Sequence, residues 1–90
     1  MKLKILTSDK LILDQEVDSV TLPGTEGEMT ILPHHTAMVA LLKNGKLSFG
    51  NHGRKEKPLI IGEGVVEVYK DTVLVLTKAA QTPEADPSLH

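Results

Sequence analysis

Turn signals recur at short intervals along the whole chain, and they limit how long any regular element can be. Ser8-Asp9-Lys10, Pro23-Gly24, Lys43-Asn44-Gly45, Gly50-Asn51-His52-Gly53, Gly62-Glu63-Gly64 and Lys70-Asp71 all combine turn-favouring residues. The runs between them are short and rich in β-branched residues. Many short strands with frequent turns indicate an all-β sandwich or barrel. Strands are expected over 2–7, 11–22, 27–32, 36–42, 46–50, 54–62, 64–69 and 72–77.

Alternation supports several of these strands. Leu3 and Ile5 alternate with lysines, and Val66 and Val68 share one face while Val65, Glu67 and Tyr69 share the other. The 11–22 run is too long for one flat strand. Its polar middle, Asp14-Gln15-Glu16, is expected to mark a turn or bulge, with Asp18, Val20 and Leu22 on a later face. Thr72 to Thr77 is apolar on both faces, so it is central in the sandwich or covered by a partner. Asn44-Gly45 is the strongest turn signal. Both residues tolerate positive φ, and a type I′ hairpin is expected there. The preceding run, Thr36 to Leu42, has helix-favouring Ala, Met and Leu behind a capping Thr. It is short and feeds straight into the Asn-Gly pair, which favours a strand.

Ninety residues make one domain. With one Phe and one Tyr, its core must be aliphatic. Residues 1–78 are expected to fold as the β-domain. Residues 79–90, polar and carrying Pro83 and Pro87, form an expected disordered tail. The net charge of −2 and the lack of a basic cluster beside aromatics argue against nucleic acid. The absence of cysteine favours a reducing interior. The N-terminus has no apolar stretch suited to a signal peptide, and no segment is apolar for long enough to span a bilayer.

The stretch from Gly24 to Met38, GTEGEMTILPHHTAM, carries the candidate chemistry. Glu26 and Glu28 flank Gly27, as a carboxylate pair would, but this chain has too few aromatics and too little bulk for a substrate cleft. His34 and His35 are neighbours, so on a strand they point to opposite faces, one exposed and one packed or at an interface. Zinc needs three or four ligands at recognisable spacing, which is lacking. The serines have no nucleophile motif, and Gly62-Glu63-Gly64 lacks the Lys-Ser/Thr of a phosphate loop. No cofactor is expected. The residues therefore point to a non-catalytic β-sandwich that works by contact, without saying with what.

The ordered set Val17, Val20, Gly24, Glu26-Gly27, Ile31, Pro33 and His35, followed by Leu42-Lys43-x-Gly45 and Gly64-Val65-Val66-Glu67-Val68, resembles the N-terminal domain of the epsilon subunit of the rotary ATP synthase. The resemblance covers about residues 1–78. It implies a flattened antiparallel β-sandwich or barrel of about eight to ten short strands. It also implies a non-catalytic rotor subunit of the central stalk, bound to the gamma subunit and the membrane c-ring. Such a subunit lies at the cytoplasmic face of the inner or plasma membrane and meets the membrane only through the complex. By the same resemblance Glu26, Gly27 and Glu28 are the c-ring contact, and Ser8, His35 and Ala40 the gamma contact.

Four departures stand out. His34 occupies a position where the family more often has Gly, which speaks against a positive φ there. Ala37 stands for a Pro, and Asn44 for another. After Thr77 there is no amphipathic helical period, so the family's inhibitory C-terminal helical hairpin is not expected to carry over. The alternative readings are a free-standing β-sandwich adaptor, or a small metal-dependent hydrolase built on Glu26, Glu28, His34 and His35.

Overall fold

Residues 1–55 and 58–81 are described by a computed structural model. They form eleven strands and no helix: β1 (Lys2–Leu6), β2 (Leu11–Glu16), β3 (Ser19–Gly24), β4 (Gly27–Ile31), β5 (Met38–Leu42), β6 (Gly45–Asn51), β7 (Arg54–Lys55), β8 (Leu59–Ile61), β9 (Gly64–Tyr69), β10 (Thr72–Thr77) and β11 (Ala80–Gln81). The expected all-β sandwich is thus the observed architecture. Three segments, β7, β8 and β11, are too short to read from alternation.

Two layers face each other. One runs β5-β9-β10-β1-β2, and the other β4-β3-β6-β8-β11, with β7 added beside β6. β1 and β10 run parallel, while their outer neighbours β2 and β9 are antiparallel to them. The layers meet at one pair, Gly24 with Leu42. β6 also bends across the second layer, pairing with β8 through Gly45–Leu47 and with β3 through Ser48–Gly50.

Strict period-2 alternation fills the space between the layers. Leu3 and Ile5, Val66 and Val68, and Val73 and Val75 point inward from the first layer and are buried. Val20, Leu22, Leu47, Ile61 and Ile31 meet them from the second. Each such burial is worth roughly 1.5–3 kcal/mol, so the core needs no more than its single Phe49. The one buried polar side chain among the described residues, Thr77, donates its hydroxyl to the Gly62 carbonyl at 2.8 Å, closing the β8–β9 turn onto β10.

Strand direction sorts the turns to two ends. Thr7–Lys10, Thr25-Glu26, Lys43-Asn44, Gly62-Glu63 and Lys78-Ala79 lie at one end. Val17-Asp18, residues 32–37, His52-Gly53 and Lys70-Asp71 lie at the other.

Several expectations need correcting. Asn44-Gly45 is not a hairpin turn. β5 and β6 do not pair, and neither residue has positive φ. The chain crosses there from one layer to the other. Gly45 is required by proximity, since a Cβ would come within 2.8 Å of Pro23 Cβ. The two-residue turns with φ positive at both positions are His52-Gly53 (54° and 75°) and Lys70-Asp71 (46° and 62°). The break in the 11–22 run falls at Val17-Asp18, where buried Val17 donates its N–H to the Met1 carbonyl at 2.7 Å. Thr36 to Leu42 yields a strand, β5, which begins at Met38. The 54–62 run divides into β7 and β8. The sheet also continues past residue 78, because Ala80 and Gln81 pair with Ile61 and Ile60. The rest of the expected disordered tail, 82–90, lies outside the described residues.

Candidate functional site

The tip of the β3–β4 hairpin is Thr25-Glu26, with Gly24 paired to Gly27. Gly27 has φ 130°, a conformation that favours glycine, and it lets the chain turn straight into β4. Glu26, Gly27 and Glu28 are all exposed. The hairpin is held against β5 by the Thr25 N–H on the Leu41 carbonyl (3.0 Å) and the Lys43 N–H on the Pro23 carbonyl (2.9 Å). The carboxylates therefore stand on a fixed, solvated tip.

His34 and His35 lie at the opposite end, in the loop between β4 and β5. The remainder of β4, Met29–Ile31, and then Leu32-Pro33 separate them from Glu28, with the strand portion alone about 10 Å long at the usual rise per residue. Glu26, Glu28, His34 and His35 cannot share one ion, and no group of three or more ligating side chains able to hold a metal occurs among the described residues. Both histidines are exposed, because they sit in a loop and not on a strand. His34 keeps the positive φ, at 68°, that its side chain argued against. Its N–H donates to Asp71 Oδ1 at 3.2 Å, and Asp71 Oδ2 lies 3.5 Å from the Met1 ammonium. The N–H of His34, with the ammonium adding to it, holds the Asp71 carboxyl below its ordinary value of 3.8. His35 Nδ1 sits 2.7 Å from the Thr36 carbonyl, an oxygen that can only accept, so Nδ1 carries the proton.

Ser8 belongs to the β1–β2 turn, at the same end of the sandwich as Glu26 and opposite to His35. The Thr7 N–H donates to the Lys10 carbonyl at 3.0 Å to close that turn. Ala40 is half-buried on β5. Its side chain faces inward with Met38 and Leu42 and packs on the core. By alternation its neighbours Val39 and Leu41 face out, each 65% exposed.

Those two residues open a feature that was not anticipated from the sequence. Directly opposed residues share a face. Leu41 pairs with Val65, Val65 with Leu76, Leu76 with Leu6, and Leu6 with Leu11. One apolar row thus crosses all five strands of the first layer on its outer side. Leu76 is 43% and Leu11 53% exposed. A shallow hollow of about 540 Å³ sits at one side of the row, lined by Leu6, Ser8, Gly64 and Leu76 among others. The next row toward the His35 end reads Val39, Glu67, Leu74, Lys4, Asp14. Ser8 stands at one end of this face and His35 at the other. The only hint in the sequence was a strand apolar on both sides, Thr72 to Thr77.

Residues 1–83 match the family model described as the ATP synthase delta/epsilon chain β-sandwich domain. Among similar proteins, the ATP synthase epsilon chain of Dehalococcoides mccartyi is 40% identical over 84 residues, covering 93% of this chain and 59% of the relative. That of Sulfurimonas denitrificans is 37% identical over 86 residues, covering 96% and 66%. The chain therefore spans about three-fifths of the length of such relatives. A chain in the cryo-EM structure of the Euglena gracilis mitochondrial ATP synthase (OSCP/F1/c-ring in rotational state 1) matches with TM-score 0.87 and 30% identity, covering 97% of this chain and 56% of that one. A chain of the Tetrahymena thermophila mitochondrial ATP synthase central stalk and c-ring structure shares the fold, with TM-score 0.78 and 16% identity, covering 92% and 66%.

Proposed function

The chain belongs to the ATP synthase delta/epsilon β-sandwich family, and on that premise we propose that it is a non-catalytic rotor subunit of the central stalk. It binds gamma and rests on the c-ring, helping to couple ion flow through the ring to ATP synthesis. It reaches the membrane only through the complex, at the cytoplasmic face of the inner or plasma membrane.

One observation carries this reading: the apolar row from Leu41 to Leu11 runs between Ser8 and His35. A partner that touches both ends of this face must cover the row. Burying it removes exposed leucine and valine from water, at about 25 cal/mol per Å². Gamma is that partner, held by Ser8 and His35 at the ends and by Val39 and Leu41, in place of Ala40, between them. The rigid tip at Glu26-Gly27-Glu28 lies at the Ser8 end and presents its carboxylates to the polar loops of the ring.

Co-purification of the chain with gamma and with assembled c-ring tests the proposal. Retention of both is expected. Failure to associate with either at low salt would favour a free-standing adaptor.

A further inference from the structure

The outer face of the β5-β9-β10-β1-β2 layer has a symmetry that its apolar row alone does not require. β10 is the middle strand, with β9 and β1 on either side and β5 and β2 outside them. In the row through Leu74, the order is Val39, Glu67, Leu74, Lys4, Asp14. Opposite charges therefore flank a leucine at equal distance. In the next row toward the His35 end, Tyr69, Thr72 and Lys2 occupy the same three strands, with Tyr69 59% exposed.

We propose that, when unassembled, two copies of this chain pair face to face through this layer, about a two-fold axis running along β10.

The register makes the consequences explicit. A rotation about β10 places β9 of one copy over β1 of the other, and β5 over β2, at unchanged height. Leu76 then meets Leu76, Val65 meets Leu6, and Leu41 meets Leu11, so the apolar row closes entirely on itself. Glu67 meets Lys4, and the symmetry makes that pair twice. Tyr69 meets Lys2 at the rim, its ring already carrying the Lys70 ammonium of its own chain at 5.5 Å from the centroid. The edge contact of Val39 with Asp14 is unfavourable, but Asp14 is already paired with Lys2 at 3.6 Å within its own chain. The interface is isologous, as two-fold dimers require. It also keeps the two strand sets aligned, the common arrangement for stacked sheets.

Magnitude sets the strength. Five strands at about 4.8 Å spacing and five residues at about 3.3 Å rise cover roughly 400 Å² per copy. That is about half the area of a standard interface, so the dimer is weak and gives way to a larger partner surface. Its role is to cover the leucine row until a partner does, which would otherwise be an exposed apolar patch.

The test is sedimentation equilibrium of the 90-residue chain alone, from about 10 μM to about 1 mM, the range in which so small an interface acts. It does not involve gamma, so its outcome is separate from that of the proposed function. Wild type is expected to show a monomer–dimer equilibrium. Lys4→Glu or Glu67→Lys alone places like charges together and should weaken it about tenfold or more. The double exchange Lys4→Glu/Glu67→Lys should restore it. Leu76→Asp, which sets two carboxylates against each other on the axis, should abolish it without lowering the melting temperature. A chain monomeric throughout the range, or a dimer indifferent to the exchanges, would overturn the proposal.

Discussion

The main-chain N–H of His34 donates to Asp71 Oδ1 at 3.2 Å, tying the loop before β5 to the turn between β9 and β10 across 37 residues. This bond favours the ionised carboxylate, so Asp71 has a folded pKa below its ordinary 3.8. For a depressed carboxyl, the stabilisation is present above the unfolded pKa and is lost as pH falls through the folded one. Carboxyl NMR should find the Asp71 midpoint below 3.8, with the His34 amide moving at the same midpoint. In Asp71→Asn, that share of the acid sensitivity should vanish. A midpoint at or above the ordinary value would dissociate the two residues.

The same loop carries a backbone cost. At φ 68° a β-carbon costs roughly 1–2 kcal/mol, less for His than for most residues. Glycine removes that cost but gives back about 0.4–1 kcal/mol through the freedom of the unfolded chain. His34→Gly should therefore raise the unfolding free energy in urea by about 0.5 kcal/mol. His34→Val should lower it by more than that. Equal stability for all three would mean that the loop relaxes freely.

Gly64 is a position of a different kind. A β-carbon there would overlap the Leu76 carbonyl oxygen and approach Thr77 Cα to 2.8 Å. Both belong to backbone paired in register with β9, so neither can move aside without parting the strands. Gly64→Ala should cost about 2–3 kcal/mol. Equilibrium unfolding reads the loss directly, and a change below about 0.5 kcal/mol would contradict it.

What could be read in the sequence, and what could not, follows from these cases. Alternation placed Leu3, Ile5, Val66 and Val68 inward correctly, because period 2 is a local property. Asn44-Gly45 misled for the converse reason. Turn chemistry reports what a backbone can do, whereas pairing is decided by partners far along the chain. β5 takes β9 as its neighbour and leaves β6 to the other layer. Lys70-Asp71 makes the type of turn expected of Asn-Gly without a glycine, since the β9–β10 register over six pairs leaves room for two residues only. The proposed contact residues divide similarly. Glu26, Gly27 and Glu28 are exposed as a turn motif should be. Ala40 faces inward because strand phase, set by buried Leu42, turns Val39 and Leu41 outward instead. The leucine row itself is invisible in one dimension, as its members come from five separate strands.

Charge reversal at the hairpin tip separates contact from fold. Glu28 is exposed and lies opposite Pro23 in the β3–β4 pairing, with no ion pair among the described residues. Glu28→Lys should shift stability by less than about 0.5 kcal/mol. In assembled enzyme it should weaken the coupling of ion flow to ATP synthesis. Unfolding of the domain, with coupling per folded molecule intact, would make the tip structural.

Leu41 offers the most direct trial of the account, being outward, 65% exposed and at the β5 end of the apolar row between Ser8 and His35. The measurement is the affinity of gamma for the wild-type chain and for Leu41→Asp, by titration calorimetry at concentrations where each chain is monomeric. Burying a carboxylate against an apolar surface should weaken binding at least about tenfold, or about 1.4 kcal/mol, with the melting temperature unchanged. Equal affinity for the two chains would show that gamma does not cover this face.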